Sequence, residues 1–135
     1  METYSVRILV VDDYEPFRRF VCSTVGQRPD LQVVGEASDG LEAVQKAVEL
    51  QPDLILLDIE LPTLNGIEAA RQIRELVPAS KIIFLSLESS LDVVQEALSF
   101  GASGYVLNAR AVSDLLATVE AVLQEGHSLV SSAAE

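Results

Sequence analysis

Residues 52–62 read PDLILLDIELP, a stretch in which a continuous apolar run ends on the carboxylate of Asp58. A second apolar run, VRILVVDD at 6–13, ends on two adjacent acids, Asp12 and Asp13. Continuous apolar runs of this length are typical of strands that are buried on both faces of a parallel sheet. Both strands are therefore predicted to place carboxylates at their carboxyl ends.

Three further apolar runs continue the pattern along the chain. The five predicted strands are 6–11, 31–37, 53–57, 81–86 and 104–107. The segments between them have apolar residues at helical spacing. This alternation predicts an α/β fold, (βα)5, in which helices cover both faces of a doubly wound five-stranded parallel sheet through right-handed crossovers. Ligands of such sheets bind outside the carboxyl ends of the strands.

Capping residues and apolar stripes define the predicted helices. Asp13 is a possible N-cap, Asp39 and Glu42 stand at capping-box spacing, and the third helix is predicted to start at Asn65. Gly101 is the predicted stop of the fourth helix. The fourth helix is predicted to run from Ser90 and the fifth to follow Ser113. The core-facing residues, from the first helix to the fifth, are Phe17, Phe20, Val21 and Thr24; Leu41, Val44 and Val48; Ile67, Ala70, Ile73 and Val77; Leu91, Val94 and Leu98; and Leu116, Val119 and Leu123.

Composition excludes several classes of function. Nine basic and 21 acidic residues in a chain of 135 give a net charge of −12, so binding to nucleic acid or to anionic lipid is not expected. The single cysteine, Cys22, excludes an internal disulfide, and its apolar neighbours indicate a core position on a helix. With no signal peptide and no apolar run long enough for a membrane, a cytoplasmic protein is expected. Because His127 is the only histidine, histidine-centred catalysis is excluded.

The acids at the strand ends predict a metal site. The first and third strands are expected to be neighbours, which brings Asp12, Asp13 and Asp58 together. Two carboxylates about 4 Å apart repel by roughly 4 kcal/mol at an effective dielectric near 20, and no basic residue lies close to the acids in these two segments. A bound hard divalent cation would offset this repulsion, and Mg²⁺ is predicted in preference to Ca²⁺. The alternative, that these acids only cap helices, fits Asp13 alone better than three converging acids.

Four stretches together resemble the receiver domain of two-component response regulators. They are ILVVDD (8–13), PDLILLDIELPTLNG (52–66), IIFLS (82–86) and GASGYVL (101–107). The resemblance implies the flavodoxin-like strand order 2-1-3-4-5 and a receiver domain over residues 1–126. The run from GASGYVL onward is most similar to receivers that precede a helix-turn-helix output domain. Residues 127–135 then resemble a tail or the start of the linker to that domain.

This resemblance implies a phosphoryl-accepting signalling switch. Asp58 would accept a phosphoryl group from the phosphohistidine of a sensor histidine kinase. Asp13, Asp58 and the main-chain carbonyl of Glu60 would bind Mg²⁺ directly, and Asp12 would reach the ion through water. Pro62 and Gly66 are expected to shape the following loop so that the third helix starts close to the sheet.

The resemblance also assigns switch residues and exposes departures from the family pattern. Ser86 would donate a hydrogen bond to the phosphoryl group, and Tyr105 would change rotamer with it, although a strand-end hydroxyl and a simply packed aromatic remain alternatives. Asn108 stands where the family has lysine. Leu87 replaces a small residue and is expected to narrow access to the acids, and Glu60 adds a negative side chain at a position linked to hydrolysis rate.

Two other functions compete with the phosphorylated switch. A degenerate receiver that binds partners without phosphorylation is favoured by Asn108, whereas the acid cluster opposes it. Arg110 is a candidate substitute for the missing lysine, if it does not point to solvent. A phosphohydrolase with an aspartate nucleophile expects a second aspartate where Glu60 stands, so no separate turnover substrate is predicted. The expected partners are a sensor kinase and an output domain or a second copy of the chain.

Overall fold

The computed structural model describes residues 5–87, 91–125 and 129–130. Its elements, in chain order, are β1 (Val6–Val11), α1 (Glu15–Val25), β2 (Leu31–Ala37), α2 (Gly40–Leu50), β3 (Leu54–Asp58), α3 (Gly66–Leu76), β4 (Lys81–Ser86), α4 (Leu91–Ser99), β5 (Gly104–Leu107), α5 (Ala111–Glu125) and β6 (Leu129–Val130). All five predicted strands are present. The third is displaced by one residue, so that Asp58 is its last residue.

The strands form one parallel sheet in the order β2-β1-β3-β4-β5-β6. The predicted α/β fold with the order 2-1-3-4-5 is therefore confirmed. The short strand β6 extends the sheet by pairing with Gly104 and Tyr105 of β5, and it lies within the predicted tail. The rest of residues 127–135, including His127, lies outside the described residues, so the domain boundary stays a prediction.

The two faces of the sheet bury two separate apolar layers, because alternate residues of a strand point to opposite sides. One layer packs the sheet against α2, α3 and α4, and the other packs it against α1 and α5. Cys22, half-buried on α1, contacts the second layer as predicted. The central strands are covered on both faces, which explains why they read as unbroken apolar runs.

Of the three predictions for the helix starts, the cap at Asp39 is confirmed, and the third helix begins beside Asn65 as predicted. The side chain of Asp39 accepts a hydrogen bond from the main-chain N–H of Glu42 at 2.8 Å. Asn65 accepts one from the N–H of Glu68 at 2.9 Å. These bonds satisfy N–H groups that have no partner within the helix. The third prediction, that Asp13 caps the first helix, is wrong.

The start of α1 explains this correction. The helix begins at Glu15, and the preceding Tyr14 makes no side-chain cap. The N–H of Tyr14 instead donates to Oδ1 of Asp12 at 2.9 Å, which closes a side-chain turn before the helix begins. The carboxylate of Asp13 therefore lies beside Asp12, not over the helix terminus.

The apolar stripe predicted on α2 is wrong at two of its three residues, whereas the third, Val44, packs against the core layer as predicted. Leu41 is 53% exposed and Val48 is 46% exposed, whereas small residues one position earlier, such as Gly40 and Ala47, are buried. A Cβ atom at Gly40 would lie 1.7 Å from the main-chain oxygen of Leu64. At Gly40 the helix packs so closely that no side chain fits, and Leu41 and Val48 turn outward.

The last two helices differ little from their predictions. The predicted start of α4 at Ser90 lies outside the described residues. Gly101 follows α4 with a φ of 91°, a conformation that glycine adopts without steric cost, which confirms it as the stop. α5 begins at Ala111, earlier than the predicted start after Ser113, and follows a single 3-10 turn over Asn108–Arg110. Across the described parts of the chain, no helix combines the length and apolar character needed to cross a membrane.

Gly66, the first residue of α3, generates a test of this packing. A Cβ atom there would lie 2.1 Å from the main-chain oxygen of Asp58 and 2.7 Å from Cα of Ile59. We expect Gly66→Ala to lower the free energy of unfolding in urea by roughly 1–3 kcal/mol, because main-chain atoms must move. In the control Gly26→Ala, the new Cβ lies 3.2 Å from the oxygen of Cys22, and a change within about 0.5–1 kcal/mol is expected. Equal losses in both variants would contradict the prediction.

Candidate functional site

Three carboxylates meet at the carboxyl edge of the sheet, where β1 and β3 lie side by side. Asp12 and Asp13 directly follow β1, and Asp58 is the last residue of β3. Oxygen atoms of the three carboxylates lie within 4.8 Å of one another. Asp12 and Asp58 are buried, whereas Asp13 is exposed. The structure thus brings together the acids that the sequence predicted to converge.

Burial and mutual repulsion make these carboxyl groups hard to ionise without a cation. Burial, followed by the charges of Asp12 and Glu60, raises the pKa of Asp58 to about 8. Burial also raises the pKa of Asp12, with a further contribution from the charge of Asp13. In the described part of the chain, Oδ2 of Asp12 is buried without a hydrogen-bond partner. A buried, unpartnered carboxylate oxygen favours a bound cation.

One basic side chain, Arg18 on α1, lies close to this cluster. Its Nη1 donates a hydrogen bond to the main-chain oxygen of Asp12 at 2.8 Å, and its Nε donates to Oε1 of Glu36 at 2.8 Å. The charge of Arg18 lowers the pKa of Asp12, but burial outweighs it. Sequence reasoning missed Arg18 because it considered only the two acidic segments. Its place in the helix that follows Asp13 was the available signal.

Glu60 adds a fourth carboxylate, and its side chain reaches Ser86 at the end of β4. The Ser86 hydroxyl donates to Glu60 Oε2 at 3.0 Å and lies 3.3 Å from Oε1. The main-chain N–H of Glu60 donates to Oδ1 of Asp58 at 3.1 Å. The sequence analysis gave a role only to the main-chain carbonyl of Glu60 and to the negative charge of its side chain. The contact between that side chain and Ser86 was therefore missed. Its position two residues after Asp58 was the only signal.

A cavity of about 540 Å³ opens over the acids, and Leu87 and Asn108 also line it. Oδ1 of Asn108 is buried and has no hydrogen-bond partner among the residues that the structure describes. Leu87 is 79% exposed at the rim. Arg110 is half-exposed, and its Nε lies 3.6 Å from Oδ2 of Asp114. Arg110 therefore pairs with Asp114 of α5 and is not among the residues that line the cavity.

Tyr105 occupies a different environment from the other predicted site residues. It is fully buried in the core layer beneath α2, α3 and α4, and its partner in the neighbouring strand is Phe84. The ring therefore faces the core, and the predicted rotamer change stays a prediction. The structure brings Asp12, Asp13, Asp58 and their neighbours together at one pocket. Tyr105 does not line this pocket but lies on β5, which pairs with β4.

The donor set of this pocket fits a hard divalent cation. Carboxylate oxygens are the ligands that Mg²⁺ prefers, and the ion usually retains several waters. Asp12, Asp13 and Asp58 each offer one oxygen to a common point. The exposed position of Asp13 leaves the pocket open to solvent, from which such an ion and its waters would enter.

The raised pKa of Asp58 predicts an unusual pH dependence in metal-free protein. Its folded pKa of about 8 exceeds the ordinary value of 3.8, so the folded state retains a proton that the unfolded chain has lost. The free energy of unfolding in EDTA should therefore fall between pH 4 and pH 8, by up to about 1.4 kcal/mol per pH unit. Urea titrations should show a shallower slope for Asp58→Asn, which cannot ionise. Identical slopes for the two proteins would contradict this assignment.

Comparison with known proteins identifies the family. Residues 8–120 match the family model of the response regulator receiver domain. The transcriptional regulatory protein DegU of Brevibacillus brevis is 35% identical over 121 residues, which cover 90% of this chain and 51% of that protein. The protein-glutamate methylesterase/protein-glutamine glutaminase of Thermotoga maritima is 46% identical over 102 residues, which cover 75% of this chain and 30% of that protein.

A solved structure agrees over nearly the whole chain. The two-component response regulator of the LuxR family from Aurantimonas sp. SI85-9A1 has a TM-score of 0.90 at 32% identity, covering 96% of this chain and 93% of that one. The chain spans only about a third to a half of the length of the two curated relatives named above, so what it shares with them is one domain. The chain belongs to the family of response regulator receiver domains.

Proposed function

We propose that this domain is a phosphoryl-accepting switch of a two-component signalling system. A carboxylate oxygen of Asp58 forms a bond to phosphorus as the bond between phosphorus and the kinase histidine breaks. The observation that carries the proposal is the meeting of Asp12, Asp13 and Asp58 within 4.8 Å. A module that only binds partners has no need of three carboxylates that repel one another.

The residues around Asp58 have separate roles in this proposal. Asp13, Asp58 and the main-chain carbonyl of Glu60 hold Mg²⁺ directly, and Asp12 holds it through water. The bound ion would offset negative charge on the phosphoryl oxygens. The buried, unpartnered oxygen of Asp12 supports a cation at this place. Ser86 then donates its hydroxyl to the phosphoryl group.

A conformational change caused by phosphorylation of Asp58 must also alter a surface that a partner contacts. We propose that Tyr105 moves with Ser86 and carries the change to the surface formed by α4, β5 and α5. Relatives of this chain are named transcriptional regulatory proteins, which supports an output in transcription through a helix-turn-helix domain or a second copy of the chain. The net charge of −12 opposes direct binding of nucleic acid by this domain. A cytoplasmic location, beside the sensor kinase domain, completes the proposal.

The second candidate is a degenerate receiver that binds partners without phosphorylation. Asn108 favours it, because an amide brings no charge to the place where the family has a lysine ammonium. In this structure Arg110 pairs with Asp114 and does not bring its charge to that place. The acid cluster favours the first candidate, and the two make opposite predictions for the chemistry of Asp58.

Phosphorylation itself separates these candidates. With Mg²⁺ and acetyl phosphate or phosphoramidate, intact-mass measurement should show one added phosphoryl group. The addition should disappear in Asp58→Asn and in the presence of EDTA. No addition, under conditions that label a control receiver, would favour the degenerate receiver. An addition that survives Asp58→Asn would show that another residue is the acceptor.

The loss of the lysine at Asn108 predicts a weak conformational response. A hydrogen bond to a charged group contributes roughly 1.5–3 kcal/mol, so its absence from the active state shifts a two-state equilibrium about ten- to a hundredfold. Phosphorylation should still occur, but Asn108→Lys should enlarge the changes in NMR shifts at Tyr105 and α4 on adding beryllofluoride, a phosphoryl mimic. A full response in the natural protein, unchanged by Asn108→Lys, would contradict this. Arg110→Ala is the control, because a full response that this change abolishes would show that Arg110 moves to the phosphoryl group and replaces the missing lysine.

A further inference from the structure

The contact between Glu60 and Ser86 places an anion where the proposed phosphoryl group needs its hydrogen-bond donor. Ser86 is fully buried at the end of β4, and its hydroxyl donates to the Glu60 carboxylate at 3.0 Å. A serine hydroxyl has one proton to donate. The hydroxyl therefore cannot serve the Glu60 carboxylate and a phosphoryl oxygen on Asp58 at the same time.

The main chain around Glu60 is fixed, so this contact depends on its side chain alone. The N–H of Glu60 donates to Oδ1 of Asp58 at 3.1 Å, and the N–H of Ile59 donates to the main-chain oxygen of Leu85 at 3.2 Å. These bonds tie the loop to the ends of β3 and β4. Rotation of the Glu60 side chain, or of the Ser86 side chain, is therefore enough to break the contact without any movement of the loop.

Space for that rotation lies on the other side of Glu60. A groove of about 620 Å³ adjoins the acid pocket, and Glu60 lines both cavities. The side chain of Glu60 is exposed to solvent, so its carboxylate can remain hydrated after it leaves Ser86. Repulsion between Glu60 and an anion on Asp58 acts in the same direction.

We infer that Glu60 is a positioning residue that holds the Ser86 hydroxyl in the unphosphorylated protein and competes with the phosphoryl group for it. This inference rests on the proposed function, because it assigns a resting state to the same site. Phosphorylation then engages Ser86 when its hydroxyl gives up the contact with Glu60, whose side chain has room to turn toward the groove. Glu60 thus weakens the response to a phosphoryl group by capturing its donor, in addition to any effect of its charge.

Glu60→Asp separates capture of the donor from charge, because it keeps the carboxylate but shortens its reach by one methylene. The measurement is the affinity for beryllofluoride in the presence of Mg²⁺, followed by fluorine NMR. We expect Glu60→Asp to raise this affinity roughly three- to tenfold, because the competing hydrogen bond that is lost comes from a solvent-exposed carboxylate and has the small net contribution of a typical intramolecular bond. Glu96→Asp, which shortens another acid of the groove, is the matched control and should change nothing.

A double-mutant cycle with Ser86→Ala identifies the donor. If Glu60 acts through Ser86, the gain from Glu60→Asp should vanish in the Ser86→Ala background. In metal-free protein the same cycle, measured by urea unfolding, should show coupling between the two side chains, which a pure charge effect on the ligand would not give.

Three results would overturn the inference. The first is that Glu60→Asp binds beryllofluoride like the natural protein while Glu60→Gln binds it more tightly, which would assign the effect to charge. The second is a gain of equal size in the Ser86→Ala background. The third is that no variant binds beryllofluoride, which would reject the proposed function and the inference with it. If the natural protein binds beryllofluoride but Glu60 and Ser86 show no coupling, as in the second result, the inference is rejected and the proposed function stands.

Discussion

The carboxylates of Asp12 and Asp58 are buried beside each other because β1 and β3 pair at the centre of a parallel sheet. The sheet cannot separate them without breaking the pairing that holds its core together. Asp13 adds a third acid to the same edge. Among the described residues, the nearby basic side chain of Arg18 offsets little of this negative charge, because it also forms an ion pair with Glu36. The cluster therefore raises the energy of the metal-free domain, and a cation bound to it would relieve that repulsion.

The surrounding loops keep the acids in this arrangement. Asn65 caps α3, and Gly66 brings the start of that helix against the main chain of Asp58. The N–H of Gly66 donates to the oxygen of Ile59 at 2.8 Å, which closes the loop that contains Glu60. If the site switches as proposed, these contacts favour a change in side chains such as Glu60 and Ser86 over a movement of the loop.

The sequence predicted the strands and the acid cluster well because buried parallel strands have a simple local signature. A continuous apolar run that ends on an acid places that acid at the carboxyl edge of the sheet. The sequence did not predict that Leu41 and Val48 of α2 face outward. That orientation depends on the contact between Gly40 and the loop at Leu64, which is distant in the chain. Arg18 and the contact of Glu60 with Ser86 were missed for a related reason. Side chains that meet across 26 positions of sequence leave no periodic signal, and the N-cap at Asp13 failed because Asp12 closes the turn first.

The central claim, that the acid cluster is a divalent cation site, is tested most directly by calorimetric titration with Mg²⁺. The account predicts one bound ion and binding that becomes tighter as the pH rises toward 8, because the pKa of Asp58 is raised to about 8 and its carboxyl group must lose a proton. Binding should be lost in Asp58→Asn and weakened in Asp13→Asn. Absence of binding at pH 8, or binding that is unchanged in both variants, would contradict the account.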